Sequence, residues 1–364
     1  MTMLAEQVDG VIGVDTHRDT LAAAIVTPIG AVLAHTDATA DAHGYKELLH
    51  FARRHIPGAR CWALEGAGSY GAGLATFLDA EGERVVEVCR PKRPAQRGGR
   101  KTDQLDAVRA AREALASEQL IHPRRRGERE ALRVLLTTRH SAVLAATAAI
   151  NHLKALIVSA PEDLRAELRG KSSSAQITYC AELNNRPDNS LEHRMTIRAM
   201  RSAARRILTL RAEAKDLETE LATLVQQIAP DLINLAGVGP ISAAQILISW
   251  SHPGRFRSEA AFAAFAGAVP IPASSGMTHR HRLNRGGDRQ LNRALHTITL
   301  IRMRVDPATR AYIAKRAAEG KTSRDAQRCI KRALAARSSN SSNEPHPKTA
   351  SANLRPAWRR LDTT

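Results

Sequence analysis

The first apolar strand of this chain runs straight into a carboxylate, and that junction constrains the fold more than any other stretch. Val11–Val14 are apolar or glycine, Asp15 follows, and a second β-type run begins at Leu21. Pro28-Ile29-Gly30 makes a turn and Ala31–His35 reads as a third strand, which gives a β-meander. A buried aspartate costs free energy unless it is paired, hydrogen-bonded or bound to a cation. One Asp within Asp15-Thr16-His17-Arg18-Asp19 also has a plain reading as a turn cap, so the other acids of the chain decide between the two.

Those acids fall at the ends of further elements. The spacing predicts a helix over His43–His55, ended by Pro57-Gly58, and then a short strand, Arg60–Leu64, that runs into Glu65. Gly66, Gly68, Gly71 and Gly73 follow, a helix resumes over Gly71–Ala80, and Arg84–Cys89 is β-rich. The order β-β-β-α-β-α-β is that of an RNase H-like α/β domain, whose mixed sheet carries carboxylates at strand ends. Beyond a basic, Pro/Gly-rich loop at Pro91–Arg100, Thr102 has the chemistry of an N-cap for a helix that runs to about Gln119. Asp103 and Asp106 share one face of its first turn. Acids are favoured at any helix start by the macrodipole, so these two carry weight only together with Asp15 and Glu65.

From Glu128 to about Ser159, and from Leu191 to about Ala229, the pattern is continuous helix. In the second stretch Ile207, Leu210, Ala214, Leu217, Leu221 and Leu224 form an apolar stripe between charged residues, as in a coiled coil. The segment between the two, Gly170–Asn189, reads as polar and irregular.

A compact helical C-terminal part begins near Pro230. Leu235-Ala236-Gly237-Val238-Gly239-Pro240 followed by apolar Ile241–Trp250 has the helix-hairpin-helix pattern. Backbone N–H groups at Gly237 and Gly239 then suit a phosphate, although Gly-x-Gly is also a common turn between helices. A helix over Phe256–Ala268 leads to Pro270–Gly276, a loop that holds Ser274 and Ser275. Behind it come Arg280, Arg282, Arg285 and Arg289 with His279 and His281, and then a helix from Gln290 to about Val305. Two readings stand for this cluster: a site that acts on a phosphodiester, and a solvated basic loop that positions DNA. Residues after about Ser338 are polar and aperiodic, which predicts a disordered tail.

Composition sets the class of partner. Lys and Arg number 54 against 36 Asp and Glu, a net charge of +18, which favours a polyanion: nucleic acid or an anionic membrane. No unbroken run of about 18 apolar residues occurs, so insertion into a membrane is not expected. Aromatics are 3% of residues, too few for a single-strand stacking platform, which leaves duplex or structured nucleic acid. The N-terminus lacks a signal-peptide pattern, and Cys61, Cys89, Cys180 and Cys329 form no CxxC pair; a cytoplasmic protein with reduced thiols is the expectation.

Two groups of residues resemble the transposases and site-specific recombinases of the IS110 type, which include the Piv-like DNA invertases. The first is Gly13-Val14-Asp15, Glu65-Gly66 and Lys101-Thr102-Asp103-Gln104-Leu105-Asp106-Ala107. It is similar to that family's N-terminal Asp-Glu-Asp-Asp domain, a relative of the RuvC junction resolvases. The second is Gly237-Val238-Gly239-Pro240, Phe265-Ala266-Gly267, Pro272-Ala273-Ser274-Ser275-Gly276 and Leu283-Asn284-Arg285-Gly286-Gly287-Asp288. It is similar to the family's C-terminal domain, whose characteristic serine precedes a glycine. Some relatives carry Ser-Lys-Arg-Gly where this chain has Asn284-Arg285-Gly286-Gly287.

The resemblance implies four parts: a RuvC-like domain of RNase H fold at 8–125, long coiled-coil helices at 126–229, a serine-bearing transposase domain at 230–337, and a tail at 338–364. Asp15, Glu65, Asp103 and Asp106 would hold Mg²⁺ or Mn²⁺, since hard cations prefer carboxylate oxygens. Ser275 would be the nucleophile of a covalent phosphoserine intermediate, with Ser274 the adjacent alternative. Arg280, Arg282, Arg285, Arg289, Gly237 and Gly239 would contact nucleic acid. The implied partners are donor and target duplex DNA, a structured non-coding guide (bridge) RNA, and further copies of the chain in a dimer or tetramer, within a bacterial nucleoid. The serine and the carboxylates lie far apart in sequence, so they must meet within one chain or across an oligomer. Two other classes remain as alternatives: a RuvC-like junction-resolving nuclease, which needs the carboxylates and not the serine, and a non-catalytic nucleic-acid scaffold in which the acids only cap helices.

Overall fold

The computed structural model describes residues 3–88, 102–118, 120–124, 126–252, 254–272, 281, 282, 284 and 286–343. They divide into two units: 1–126 with 251–255, and 127–250 with 256–364.

The first unit carries β1 (Gly10–Thr16), β2 (Thr20–Val26), β3 (Val32–Thr39), α1 (Ala42–His55), β4 (Arg60–Glu65), α2 (Ala72–Ala80), β5 (Arg84–Val88) and α3 (Asp103–Ala116). The sheet has the order β3-β2-β1-β4-β5. The hairpin strands β1, β2 and β3 run antiparallel in turn, whereas β4 is parallel to both β1 and β5. This mixed sheet is consistent with the RuvC-like domain that the resemblance implies.

Because side chains alternate across a strand, each face of the sheet collects one parity of β1 and β4. Val11, Cys61 and Ala63 pack with Ala107, Ala110 and Ala111 of α3. Ile12, Val14, Trp62 and Leu64 pack with Leu48 of α1 and Leu74 of α2. Both faces are therefore covered, and β1 is buried along its whole length. Asp15 and Glu65 share the parity of Val11 and Cys61, so both acids belong to the face that α3 covers.

The contact between α3 and that face depends on one glycine. A Cβ on Gly13 would come within 2.0 Å of the Ala107 carbonyl oxygen and 2.7 Å of the Ala111 amide nitrogen. The run of alanines at 107, 110, 111 and 114, all fully buried, completes this close backbone packing.

The second unit is helical: α4 (Glu128–Ser159), α5 (Glu162–Leu168), α6 (Ser173–Glu182), α7 (Leu191–Ile228), α8 (Pro230–Ile233), α9 (Pro240–Trp250), α10 (Glu259–Phe265), a short pair β6 (Ile271–Pro272) and β7 (His281–Arg282), then α11 (Arg289–Val305), α12 (Pro307–Ala318) and α13 (Ser323–Asn343). Leu132 near the start of α4 shares a core with Leu221 and Val225 near the end of α7. Leu153 and Ile157 near the end of α4 share another with Ile197 and Met200 near the start of α7. The two long helices thus run antiparallel, and between these two cores they are joined by the Arg139–Glu218 ion pair at 2.8 Å. Among the described residues α4 is the one helix long and apolar enough to cross a membrane by length and composition. It packs along α7 through Ala149, Leu153 and Ile157.

Two expectations need correction. The segment 170–189, read as irregular, contains α6, which Ser172 caps by accepting from the Ala175 amide. Its apolar signal is only Ile177, Cys180 and Ala181, yet all three are buried in one core with α7, and tertiary packing outweighs the weak local pattern. Of the stretch from 338 expected as a tail, residues 338–343 belong to α13, and the rest lies outside the described residues. Ser338 is buried and its hydroxyl donates back to the Leu334 carbonyl at 2.8 Å, which lets a polar residue sit inside a helix.

Candidate metal centre

Parallel pairing brings two of the four acids to one edge of the sheet. Val14 faces Leu64 in the β1–β4 register, so Asp15 and Glu65 follow in the next row, at the C-terminal ends of adjoining strands. The Thr16 hydroxyl donates to the Glu65 carbonyl at 2.8 Å and ties these two ends together. Asp15 is buried, with 8% of its surface accessible, whereas Glu65 is half-buried.

The other two acids come from the start of α3. Thr102 caps it by accepting from the Leu105 amide, and Asp103 and Asp106 fill the first turn. The Gly13–Ala107 contact sets this turn against β1. Asp106 accepts from Arg109 at 2.6 Å, while Asp103 is exposed.

His17 completes the group. Its Nε2 lies 3.3 Å from Asp15 Oδ2 and 3.4 Å from Asp103 Oδ1. Donor atoms of Asp15, His17 and Asp103 all fall within 4.8 Å of one another, a spacing that one cation can bridge. Glu65 and Asp106 stand outside this tight group, at the neighbouring strand end and one turn further along α3. Burial raises the Asp15 carboxyl above its ordinary value; His17 offsets part of this, and the charges of Asp103 and Asp106 raise it further. Nε2 of His17 is fully buried without a hydrogen-bond partner of good geometry. An inward-facing imidazole nitrogen among repelling carboxylates is a donor set that fits a divalent cation.

His17 was legible in the sequence only as part of a polar turn. The missed signal is its spacing: Asp15 and His17 are two apart, as neighbours on one face of an extended chain are.

In the second unit the structure assembles the base of the basic loop. Gly267 has φ +64°, and a Cβ on Gly287 would come within 2.4 Å of the Gly267 amide nitrogen. The Asn284 amide donates to the Ala264 carbonyl at 3.1 Å, and its carbonyl accepts from the Gly286 amide at 3.0 Å. Asp288 caps α11 by accepting from the Gln290 and Leu291 amides and also accepts from the Ser249 hydroxyl at 2.9 Å. Asn292 donates to the Ala266 carbonyl at 2.7 Å. Arg282 lies exposed on β7, and Arg289 lies exposed as the first residue of α11. Ser274, Ser275, Arg280 and Arg285 lie outside the described residues.

Gly237, with φ +80°, packs against α11: its Cβ would meet the Ile298 carbonyl at 3.1 Å. A Cβ on Gly239 would meet nothing within 4 Å. Packing thus accounts for the glycine at 237 and leaves the one at 239 facing open space.

The first unit is thus an α/β domain in which two adjoining parallel strands end in acids and a helix start supplies two more. A family profile named for the DEDD transposases of IS110 type matches residues 12–160, and one described as "Transposase IS116/IS110/IS902 family" matches residues 230–314. The chain belongs to the IS110 family of transposases. It is also similar to the "Insertion element IS110 uncharacterized 43.6 kDa protein" of Streptomyces coelicolor, 33% identical over 124 residues, which is 33% of this chain and 31% of that protein. The match therefore spans about a third of the relative's length.

Proposed function

We propose that this chain is the transposase of an insertion sequence, a site-specific recombinase that cuts and rejoins duplex DNA through a covalent phosphoserine intermediate. The observation that carries the reading is the meeting of Asp15 and Asp103 at the sheet edge, with Glu65 and Asp106 beside them, in a family member of net charge +18. In this reading Asp15, Glu65, Asp103 and Asp106 bind divalent metal, Mg²⁺ or Mn²⁺, as the hard-oxygen donor set favours. When bound, such ions supply Lewis-acid polarisation of the scissile phosphate.

Ser275 supplies the nucleophile. Its oxygen forms a bond to phosphorus, the bond from phosphorus to the sugar oxygen of one strand breaks, and that oxygen leaves as a hydroxyl after taking up a proton. Attack by the hydroxyl of another strand reverses the step and releases the serine, so no external energy source is required. Arg280, Arg282, Arg285 and Arg289 hold the phosphates, and backbone N–H groups at Gly239 add a further contact. A structured guide RNA takes part of the positive charge and selects donor and target by base pairing. The division into a RuvC-like part, a coiled-coil pair that contributes to a dimer or tetramer, and a serine-bearing part belongs to the same proposal.

The test is cleavage of end-labelled DNA with Mg²⁺, followed by proteolysis to reveal covalently attached peptide. The wild-type chain should give an adduct that Ser275→Ala abolishes while DNA binding persists. Loss of the adduct in Ser274→Ala instead would move the nucleophile to Ser274. Cleavage without any adduct, dependent on Asp15, would replace this reading with the junction-resolving nuclease. Binding with no cleavage under any condition would leave a scaffold.

A further inference from the structure

We propose that His17 is a metal ligand of this centre, a nitrogen donor added to the carboxylates, and that it biases the site toward Mn²⁺ over Mg²⁺. The inference rests on the carboxylate reading above and goes beyond it by adding a residue and a metal preference.

Three observations carry it. The first is convergence: Nε2 stands 3.3 Å from an oxygen of Asp15 and 3.4 Å from an oxygen of Asp103, so one nitrogen faces both acids. The second is that this atom is fully buried and makes no well-formed hydrogen bond, although the residue as a whole is only half-buried. Its two carboxylate contacts lie at ion-pair distance without good hydrogen-bond geometry, and a cation at the point where the three donors converge would satisfy all of them at once. The third is how the ring is delivered. The His17 amide donates to the Thr20 carbonyl at 3.0 Å, so the residue closes the β1–β2 turn and is fixed by the sheet itself. The backbone that positions Asp15 therefore also positions His17.

The metal preference follows from donor chemistry. Carboxylate and water oxygens suit both ions, but Mg²⁺ holds strictly to octahedral oxygen coordination, whereas Mn²⁺, a first-row transition ion, accepts an imidazole nitrogen beside its oxygens more readily. Neutral imidazole also adds a ligand without adding charge to a site where Asp15, Asp103 and Asp106 already repel one another.

The experiment uses the full chain loaded with Mn²⁺ and reads pulsed electron paramagnetic resonance, together with calorimetric titration of Mn²⁺ and Mg²⁺. The expected result is ¹⁴N modulation of the Mn²⁺ signal in the wild type, lost in both His17→Ala and His17→Gln. Mn²⁺ affinity should fall about tenfold in each variant while Mg²⁺ affinity stays within about threefold. Labelling the wild type with ¹⁵N-histidine should replace the ¹⁴N pattern, a readout that needs no variant to fold. Mn²⁺ binding without nitrogen modulation, or modulation that survives in His17→Ala, overturns the role of His17 and leaves the carboxylate reading intact. Failure of the wild type to bind Mn²⁺ at all overturns both.

Discussion

Gly13 and Ala107 touch backbone to backbone: a Cβ on the glycine would stand 2.0 Å from the alanine carbonyl oxygen. This contact sets how closely α3 lies on β1, and thereby how near Asp103 comes to Asp15. A methyl group at 13 cannot be absorbed by a flexible side chain, because the atoms it meets are main-chain. Gly13→Ala should destabilise the first unit by about 1–3 kcal/mol in denaturant titration and weaken Mn²⁺ binding with it. Gly68→Ala, whose Cβ would meet nothing within 4 Å, should do neither.

Asp15 carries the opposite expectation. Burial first, then the charges of Asp103 and Asp106, raise its carboxyl in the folded chain, with His17 offsetting part of the effect. A raised carboxyl means the folded state holds the proton more tightly than the unfolded state, so stability falls as pH rises through the window above the ordinary value of 3.8. Asp15→Asn should therefore melt at an equal or higher temperature than the wild type at pH 7 in chelator. That advantage should shrink as the pH is lowered. The same variant should lose cleavage and Mn²⁺ binding. A large drop in melting temperature would mark Asp15 as a structural residue.

Glu83 is the structural counterpart, with the reverse sign. It is desolvated, which alone would raise its carboxyl, but hydrogen bonds from Arg60 and Trp62 overcome this and hold it below the ordinary value. Arg60 Nε donates at 2.8 Å and Trp62 Nε1 at 3.1 Å. This stabilisation is present above the unfolded value of 4.5 and is lost as pH falls through the lowered one. Glu83→Gln should cost about 2 kcal/mol at pH 7 and less in acid, measured by urea unfolding at both pH values.

In the second unit the discriminating pair is two adjacent glycines. A Cβ on Gly287 would meet the Gly267 amide nitrogen at 2.4 Å and the Phe265 carbonyl at 2.8 Å, whereas one on Gly286 would meet only the Asn284 side chain at 3.6 Å. Gly287→Ala should lower the melting temperature clearly and Gly286→Ala hardly at all, as read by scanning calorimetry. Equal effects at the two positions would show that the loop base is not held by this contact.

Much of the first unit was legible because its signals are local. Alternating apolar residues, the Pro57-Gly58 stop and the Thr102 cap place β1 to β5 and α1 to α3 within a few residues. The four acids could be singled out for a similar reason: each sits where a strand pattern ends or a helix pattern begins. The long-range part could not be read. Nothing local says that Gly13 and Ala107 touch, so neither the place of α3 nor the Asp15–His17–Asp103 grouping follows from spacing alone. His17 was hidden by its neighbours, since Thr-His-Arg-Asp reads as a polar turn until β4 and α3 close around it. In the second unit, α6 escaped notice because its three buried apolar residues suffice only against the ready-made surface of α7.

The near-contact of Gly267 and Gly287 has a topological consequence. The chain leaves this point and returns to it, so everything between is a closed excursion from a fixed base, pinned again by the Ile271–Arg282 pairing. The helices on either side, α10 and α11, meet whatever the excursion contains. Doubling its length would add only about 0.6 kcal/mol of closure entropy. Substitution, shortening or lengthening within it is therefore expected to leave the helical body beneath in its arrangement.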